Sequence, residues 1–141
     1  MPSIEFFYED ISFQLLNPEL TRDWVQGVIE QEGHSLESLN YVFCSDEYLR
    51  KINLEYLNHD YYTDIVTFDN SEKKKLIEGD VFISIDRIQD NADSHSSPFL
   101  HELHRVIIHG VLHLTGYNDT SNDEKKVMRE KENAYLSLLK F

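Results

Sequence analysis

The segment His109-Gly110-Val111-Leu112-His113-Leu114-Thr115-Gly116-Tyr117-Asn118-Asp119 organises the reading of the whole chain. On a helix, residues 109 and 113 stand one turn apart, ~6 Å along the axis, so both imidazoles can reach one ion. Gly116 follows where a left-handed cap can end the helix and turn the chain back. That reversal brings Asp119 towards the histidines as a third ligand. Two neutral imidazoles and one carboxylate suit zinc, one ion per chain, with a fourth position left for water; other divalent metals are the alternative. The competing reading is a pair of core histidines on a buried helix, but the glycine stop and the carboxylate together favour metal binding.

The same spacing occurs in zinc proteases of the H-E-x-x-H-x-x-G-x-x-H type. Here Gly110 stands where their general-base glutamate would be, so a metalloprotease-like hydrolase would have to recruit another base. Working back along the helix, Ser97-Pro98 opens it, and Leu100, Leu103, Ile107, Val111 and Leu114 share one face. Val106, Ile108 and Leu112 fill the flanks, which makes the helix apolar nearly all round and places it at the centre of the fold. Glu102 falls on the histidine face about two turns earlier, with Arg105 near it. Both are candidate catalytic or substrate-facing groups, or simply a Glu–Arg pair along one helix.

Outside this helix the pattern alternates. Ile4 to Phe13 reads as a first strand. Asn17-Pro18-Glu19 starts a helix with an Asn cap, carrying Leu20, Trp24, Val25 and Val28 and stopped by Gly33. Leu39 to Phe43 reads as a second strand, and Ser45 caps a helix from Asp46 to about Leu57 with Tyr48, Leu49, Ile52 and Tyr56 on one face. Asp64 to Phe68 and Asp80 to Ile85 are two more strands, joined by a polar connection over Asp69 to Gly79. Asp86 to about Asp93 reads as a short helix. Ser121-x-x-Glu124 is a capping box opening a last helix with Met128, Tyr135, Leu136 and Leu139 as its stripe. Strands separated by helices predict an α+β fold: one domain over residues 1–141, about four strands in a mixed sheet packed by helices, with the metal site at the end of a central buried helix.

Composition sets further bounds. A chain of 141 residues with 40% hydrophobic and 12% aromatic residues can bury a real core. Cys44 is the only cysteine, so no intrachain disulfide forms; in its apolar run it reads as a buried strand residue. The N-terminus lacks a signal-peptide pattern and no stretch is long enough to span a membrane, which points to a cytoplasmic protein with no membrane partner. A net charge of −13 argues against broad, nonspecific nucleic-acid binding. A local basic groove would have to come from Arg50-Lys51, Lys73-Lys74-Lys75, Arg87, Arg105, Lys125-Lys126, Arg129 or Lys131.

Residues 109–119 resemble the signature of the YbeY family of bacterial rRNA maturation factors, H-G-x-L-H-L-x-G-Y-D-H. Upstream, Ile52-Asn53-Leu54-Glu55-Tyr56, then Thr63-Asp64-Ile65-Val66-Thr67-Phe68, then Gly79-Asp80-Val81-Phe82-Ile83-Ser84 follow the family blocks in order and spacing. The resemblance implies a single-strand-specific, metal-dependent endoribonuclease acting in small-subunit (16S) rRNA 3′-end maturation and ribosome quality control. Its partners would be single-stranded RNA, small-subunit rRNA, and the ribosome or a small-subunit ribosomal protein.

Two departures from the family pattern stand out. Asp119 replaces the third histidine, and Asn118 the preceding aspartate; Asp119 either ligates the metal or only caps the next helix. Leu57 stands where the family carries an arginine able to hold a phosphate. His59, when protonated, is a candidate for that role. Asp64 can orient a ligand histidine as a hydrogen-bond acceptor, or serve as a turn residue beside a strand. Tyr61 and Tyr62 can stack bases. The chemistry that follows is metal-assisted RNA cleavage, and the rival is a non-catalytic ribosome-assembly factor with a structural metal, favoured by Leu57 and the acidic surface.

Overall fold

The structure is a computed structural model, and it describes residues 1–139. In chain order the elements are β1 (Ser3–Glu9), α1 (Pro18–Gln31), β2 (Ser35–Cys44), α2 (Asp46–Leu57), β3 (Ile65–Asp69), β4 (Leu76–Ser84), α3 (Ile85–Ser94), α4 (Phe99–Leu114) and α5 (Asn122–Leu136). The strands form one mixed sheet in the order β1-β2-β4-β3. β2 runs parallel to both β1 and β4, while β3 pairs antiparallel with β4 at the edge. Parallel neighbours need crossover connections, and α1 and α2 occur in those connections.

Strand alternation divides the helices between the two faces of the sheet. Leu39, Tyr41 and Phe43 of β2 and Ile77, Val81 and Ile83 of β4 join the main core, with residues of α1, α3, α4 and α5. On the opposite face α2 sets Leu49 against Cys44 and Val66, with Phe68 and Phe82 beside them. Leu103, Ile107, Ile108, Val111 and Leu112 of α4 are all completely buried, which makes α4 the central helix its composition predicts. Each such side chain contributes about 1.5–3 kcal/mol of hydrophobic stabilisation. Tyr41 Oη donates to the Ile107 carbonyl at 2.9 Å, satisfying a buried hydroxyl.

Gly110 explains how close α4 comes to the sheet. A Cβ there would lie 2.9 Å from Val81 Cγ1 and 3.0 Å from Ile65 Cδ1. Position 110 therefore faces β3 and β4, and a larger side chain would enter the core.

Several boundaries differ from the sequence reading. β1 stops at Glu9, not Phe13: its register with β2 ends at Glu9 opposite Cys44, and Asp10 turns away with φ 54°. Phe13 keeps an apolar role without pairing, its ring edge-on to Phe43 at 5.5 Å. β2 starts at Ser35 and β4 at Leu76, because the backbone ladder extends past the apolar runs, with the buried pair Leu36 and Ile77 alternating with more exposed polar neighbours. Ile85 belongs to α3, since Ser84 Oγ accepts the Arg87 amide and caps that helix. Asn17 is not a side-chain cap; it is left-handed at φ 55° and its carbonyl accepts from Thr21. Leu20 and Leu100 are 47% and 46% exposed, so the first leucine of each helix stays off the core. Cys44 is buried as expected, and burial, reinforced by Asp46 and Asp86, pushes its thiol up to about 12. Among the described residues no helix is long and apolar enough to cross a membrane.

Candidate metal centre

α4 delivers both histidines, and its C-terminus is built to deliver the third group. The Tyr117 amide donates to the Leu112 carbonyl and the Gly116 amide to the His113 carbonyl, each at 3.0 Å. This pair of hydrogen bonds is a Schellman cap, and Gly116 supplies the positive φ it requires, 109°. The chain then turns back past Asp119 into α5. Ser121 caps α5: its Oγ accepts the Glu124 amide at 3.1 Å, while Glu124 Oε1 accepts the Ser121 amide at 2.9 Å. The cap leaves the Asp119 carboxylate free to face the histidines.

Three ligand atoms converge. His109 Nε2 and His113 Nε2 are 2.9 Å apart, and Asp119 Oδ2 lies 3.3 Å and 3.5 Å from them. A tetrahedral ion with bonds of about 2.0–2.2 Å would set its ligands roughly 3.3–3.6 Å apart. His, His and Asp thus form a group that could hold a metal ion. It is partly open to solvent, with side-chain exposures of 19%, 25% and 42% in that order.

The other ring nitrogens define the tautomers. His113 Nδ1 lies 3.0 Å from the Tyr117 carbonyl, which can only accept, so Nδ1 carries the proton. His109 Nδ1 lies 2.6 Å from Glu132 Oε2, a buried carboxylate that likewise accepts. Both Nε2 lone pairs therefore point at each other and at an Asp119 oxygen. Three acceptors facing one another repel, and a cation between them relieves that repulsion. Burial opposes charge on His109, but Glu132, then Asp119 and Asp64, outweigh it and hold its pKa above the ordinary histidine value. Burial likewise opposes the Glu132 charge, yet His109 and Arg105 hold its carboxyl below the usual range.

Glu132 and Tyr117 were not singled out as site residues from the sequence. Glu132 had a visible signal, because a carboxylate interrupts the Met128–Tyr135 apolar stripe of α5 and is only 4% exposed. The Tyr117 contribution is a main-chain oxygen, for which residue type carries no signal.

The remaining candidates fall elsewhere. Arg105 is tied to Glu132 Oε1 at 2.8 Å and to Asn133 Oδ1 at 2.9 Å. Glu102 is buried with His95 Nδ1 3.7 Å away. Asp64 occupies a neighbouring position, its carboxyl raised by burial, which outweighs the opposing His109 charge, with Asn91 Nδ2 at 3.4 Å. The acceptors of the two ring Nδ1–H groups are Glu132 and Tyr117, not Asp64. His59 sits in the loop after α2, stacked on Tyr61 at 5.3 Å, and Leu57 ends α2, 40% exposed. Tyr62 has Arg50 and Arg87 over its ring at 5.8 Å and 5.4 Å. Arg50, Arg87, Arg105 and Lys131 all sit in ion pairs with carboxylates, so these four cations of the candidate groove already have partners.

Fold and site together define a small α+β domain with a mixed four-stranded sheet and a His-His-Asp group of metal-ligand geometry at the end of its central helix. The chain belongs to the YbeY endoribonuclease family, whose model, Endoribonuclease YbeY, matches residues 7–140. The resemblance read from the signature is borne out, and the family is one of nuclease hydrolases. An Endoribonuclease YbeY from Cytophaga hutchinsonii is 55% identical over 139 residues, covering 99% of this chain and 97% of the relative. Another, from Amoebophilus asiaticus, is 50% identical over 134 residues, covering 95% and 91%. The solution structure of TM1509 from Thermotoga maritima shares the fold, with a TM-score of 0.64 at 23% identity, covering 94% of this chain and 87% of that one.

Proposed function

We propose that this chain is a metal-dependent endoribonuclease specific for single-stranded RNA, working in the cytoplasm on 16S rRNA 3′-end maturation and in ribosome quality control. One zinc ion per chain would be held by His109, His113 and Asp119. The observation that carries the metal reading is the convergence of three acceptor atoms whose imidazole partners have both committed their Nδ1 protons elsewhere. Family membership supports the RNA substrate. The ribosome, or a small-subunit ribosomal protein, is the partner this role requires.

A bound divalent ion would supply Lewis acidity, stabilising charge at a phosphoryl oxygen and activating water or a 2′-hydroxyl. The protein's own residues prepare for this. Glu132 and the Tyr117 carbonyl take the Nδ1 protons, so both Nε2 atoms present lone pairs. Asp119 adds one negative charge, which lowers the electrophilicity of the centre relative to three neutral ligands and suits harder ions as well as zinc. The packed α4 and the capped α5 hold these atoms in place without needing the RNA to organise them.

The test measures metal content and cleavage of single-stranded and duplex RNA, comparing wild type with His113→Ala and Asp119→Ala. The expected result is near-stoichiometric zinc and single-strand cleavage in wild type, with both lost in the variants. Stoichiometric metal with no cleavage above the variants would replace this reading with the non-catalytic assembly factor, which Leu57 at the family's arginine position favours. No metal in wild type would remove the three-ligand centre.

A further inference from the structure

Glu132 is placed as few surface-helix carboxylates are. It lies in the apolar stripe of α5, 4% exposed, and both of its oxygens are engaged. Oε2 accepts from His109 Nδ1 at 2.6 Å, and Oε1 accepts from Arg105 Nη1 at 2.8 Å. Arg105 is itself fixed by Asn133 Oδ1 at 2.9 Å, and its side chain is only 14% exposed. Arg105, Glu132 and His109 thus form a continuous chain from α4 across α5 and back to α4, ending at the Nε2 that faces His113 and Asp119. Arg105 commits Nη1 to Glu132 and Nη2 to Asn133, which hold its guanidinium against α5. Its geometry is that of a support.

We propose that Glu132 is a positioning residue for metal capture at His109, and that Arg105 acts through Glu132 rather than on RNA. The inference rests on the reading of His109, His113 and Asp119 as a metal centre and deepens it. Two effects follow from the contacts. The hydrogen bond fixes the ring plane and the tautomer, so Nε2 is always the free atom. The negative acceptor also makes that imidazole a stronger donor than His113, whose Nδ1 meets only a neutral carbonyl. Arg105 holds the other oxygen of the carboxylate that accepts from His109, with the two residues on helices packed against each other. Glutamine at 132 could still accept from Nδ1–H, but its amide NH2 would then face the Arg105 donors.

The experiment is a zinc and cobalt titration against a chromophoric chelator on wild type, Glu132→Ala, Glu132→Gln, Arg105→Met and Arg105→Met/Glu132→Ala. The metal-free melting temperature of each is recorded beside it. Loss of an outer partner of a metal-bound histidine weakens affinity roughly 10–100-fold, the range expected for Glu132→Ala. Glu132→Gln should lie between it and wild type and shift the cobalt absorption band. Arg105→Met should weaken binding, and that effect should vanish in the Glu132→Ala background, because a residue acting through another shows complete coupling in a double-mutant cycle. Unchanged affinity in both Glu132 variants, with only the metal-free melting temperature lowered, overturns the proposal and leaves Glu132 a stabilising contact. An Arg105 effect that persists without Glu132 overturns its second half. Should Glu132→Ala not fold, the isosteric Glu132→Gln and Arg105→Met decide between the same two outcomes. Wild type that binds neither metal removes the metal centre itself, and this inference with it.

Discussion

Alanine at Gly110 and at Gly27 is one substitution made in two helices, and the structure assigns the two opposite signs. In a helix interior the change gains about 1 kcal/mol of backbone propensity. At Gly27, on the exposed side of α1, a Cβ meets nothing within 4 Å, so most of that gain should appear. At Gly110 the new carbon lies 2.9 Å from Val81 Cγ1 and 3.0 Å from Ile65 Cδ1. Ile65 can swing its terminal methyl aside. Val81 has less room: it is fully buried on β4, and a β-branched side chain is restricted at χ1. Overpacking of this kind costs about 1–3 kcal/mol, and the stiff neighbour points to the upper end. The net is a loss of about 2 kcal/mol at Gly110 against a gain of roughly 0.5–1 kcal/mol at Gly27. At ~4 °C per kcal/mol for a chain of this size, the melting temperature should fall by roughly 8 °C in one variant and rise by about 2–4 °C in the other. The assay is thermal unfolding of both proteins with a chelator present, so that metal binding does not mask the packing term. A melting temperature that rises in Gly110→Ala as it does in Gly27→Ala would refute the close seating of α4, and with it the position of His109.

Further expectations follow from single contacts. Glu32 accepts hydrogen bonds from Tyr117, Tyr135 and Lys131, which overcome its burial and hold its carboxyl below the ordinary 4.5; its contribution is present above that value and is lost as pH falls through the lower, folded one. Glu32→Gln should therefore lose less stability than wild type as pH is lowered from about 6 to about 3, measured as the difference in urea midpoints. Tyr41→Phe deletes the bond to the Ile107 carbonyl and should cost about 1 kcal/mol by urea unfolding with an unchanged m-value. Ser121→Ala removes the α5 cap, again about 1 kcal/mol, and chelator competition should show weaker metal binding because the same turn carries Asp119. Asp119→Ala should weaken zinc by more than the ~10–100-fold typical of an outer partner; retention at wild-type affinity would take the carboxylate out of the ligand set.

What could be read from the sequence divides along a physical line. The centrality of α4 was legible, because a helix apolar nearly all round has nowhere else to go. Caps and stops were legible where a side chain makes the bond, as at Ser45, Ser121 and Glu124, and where a positive φ is needed, as at Gly116. Asn17 shows the limit of that logic. The right residue type precedes the proline, yet the backbone is left-handed, the side chain makes no cap bond, and the carbonyl makes only the ordinary first helical bond with the Thr21 amide. Strand ends were the least legible feature. Ser35 to Ser38 and Leu76 to Glu78 join the ladder although only Leu36 and Ile77 among them bury apolar side chains, whereas Ile11 and Phe13 keep apolar side chains on the core without any ladder.

The candidate site divides in the same way, and the division has a consequence for how such sites are found. His109, His113 and Asp119 lie within one turn-and-return of chain, so local geometry alone brings them together. Glu132 reaches His109 only because α5 packs back along α4, and Tyr117 contributes an atom that every residue has. Both are tertiary facts. Yet Glu132 was not invisible, for it stands between Met128 and Tyr135, the two buried apolar residues of its stripe. A carboxylate can remain there only if it has cationic or donor partners, since an unpaired buried charge costs several kcal/mol. Such partners on the helix packed against α5 are the imidazole that the signature already marks and the arginine one turn before it. A lone charge in an apolar stripe beside a ligand histidine is thus a readable sign of a positioning residue, and it reassigns Arg105 from the substrate to the scaffold.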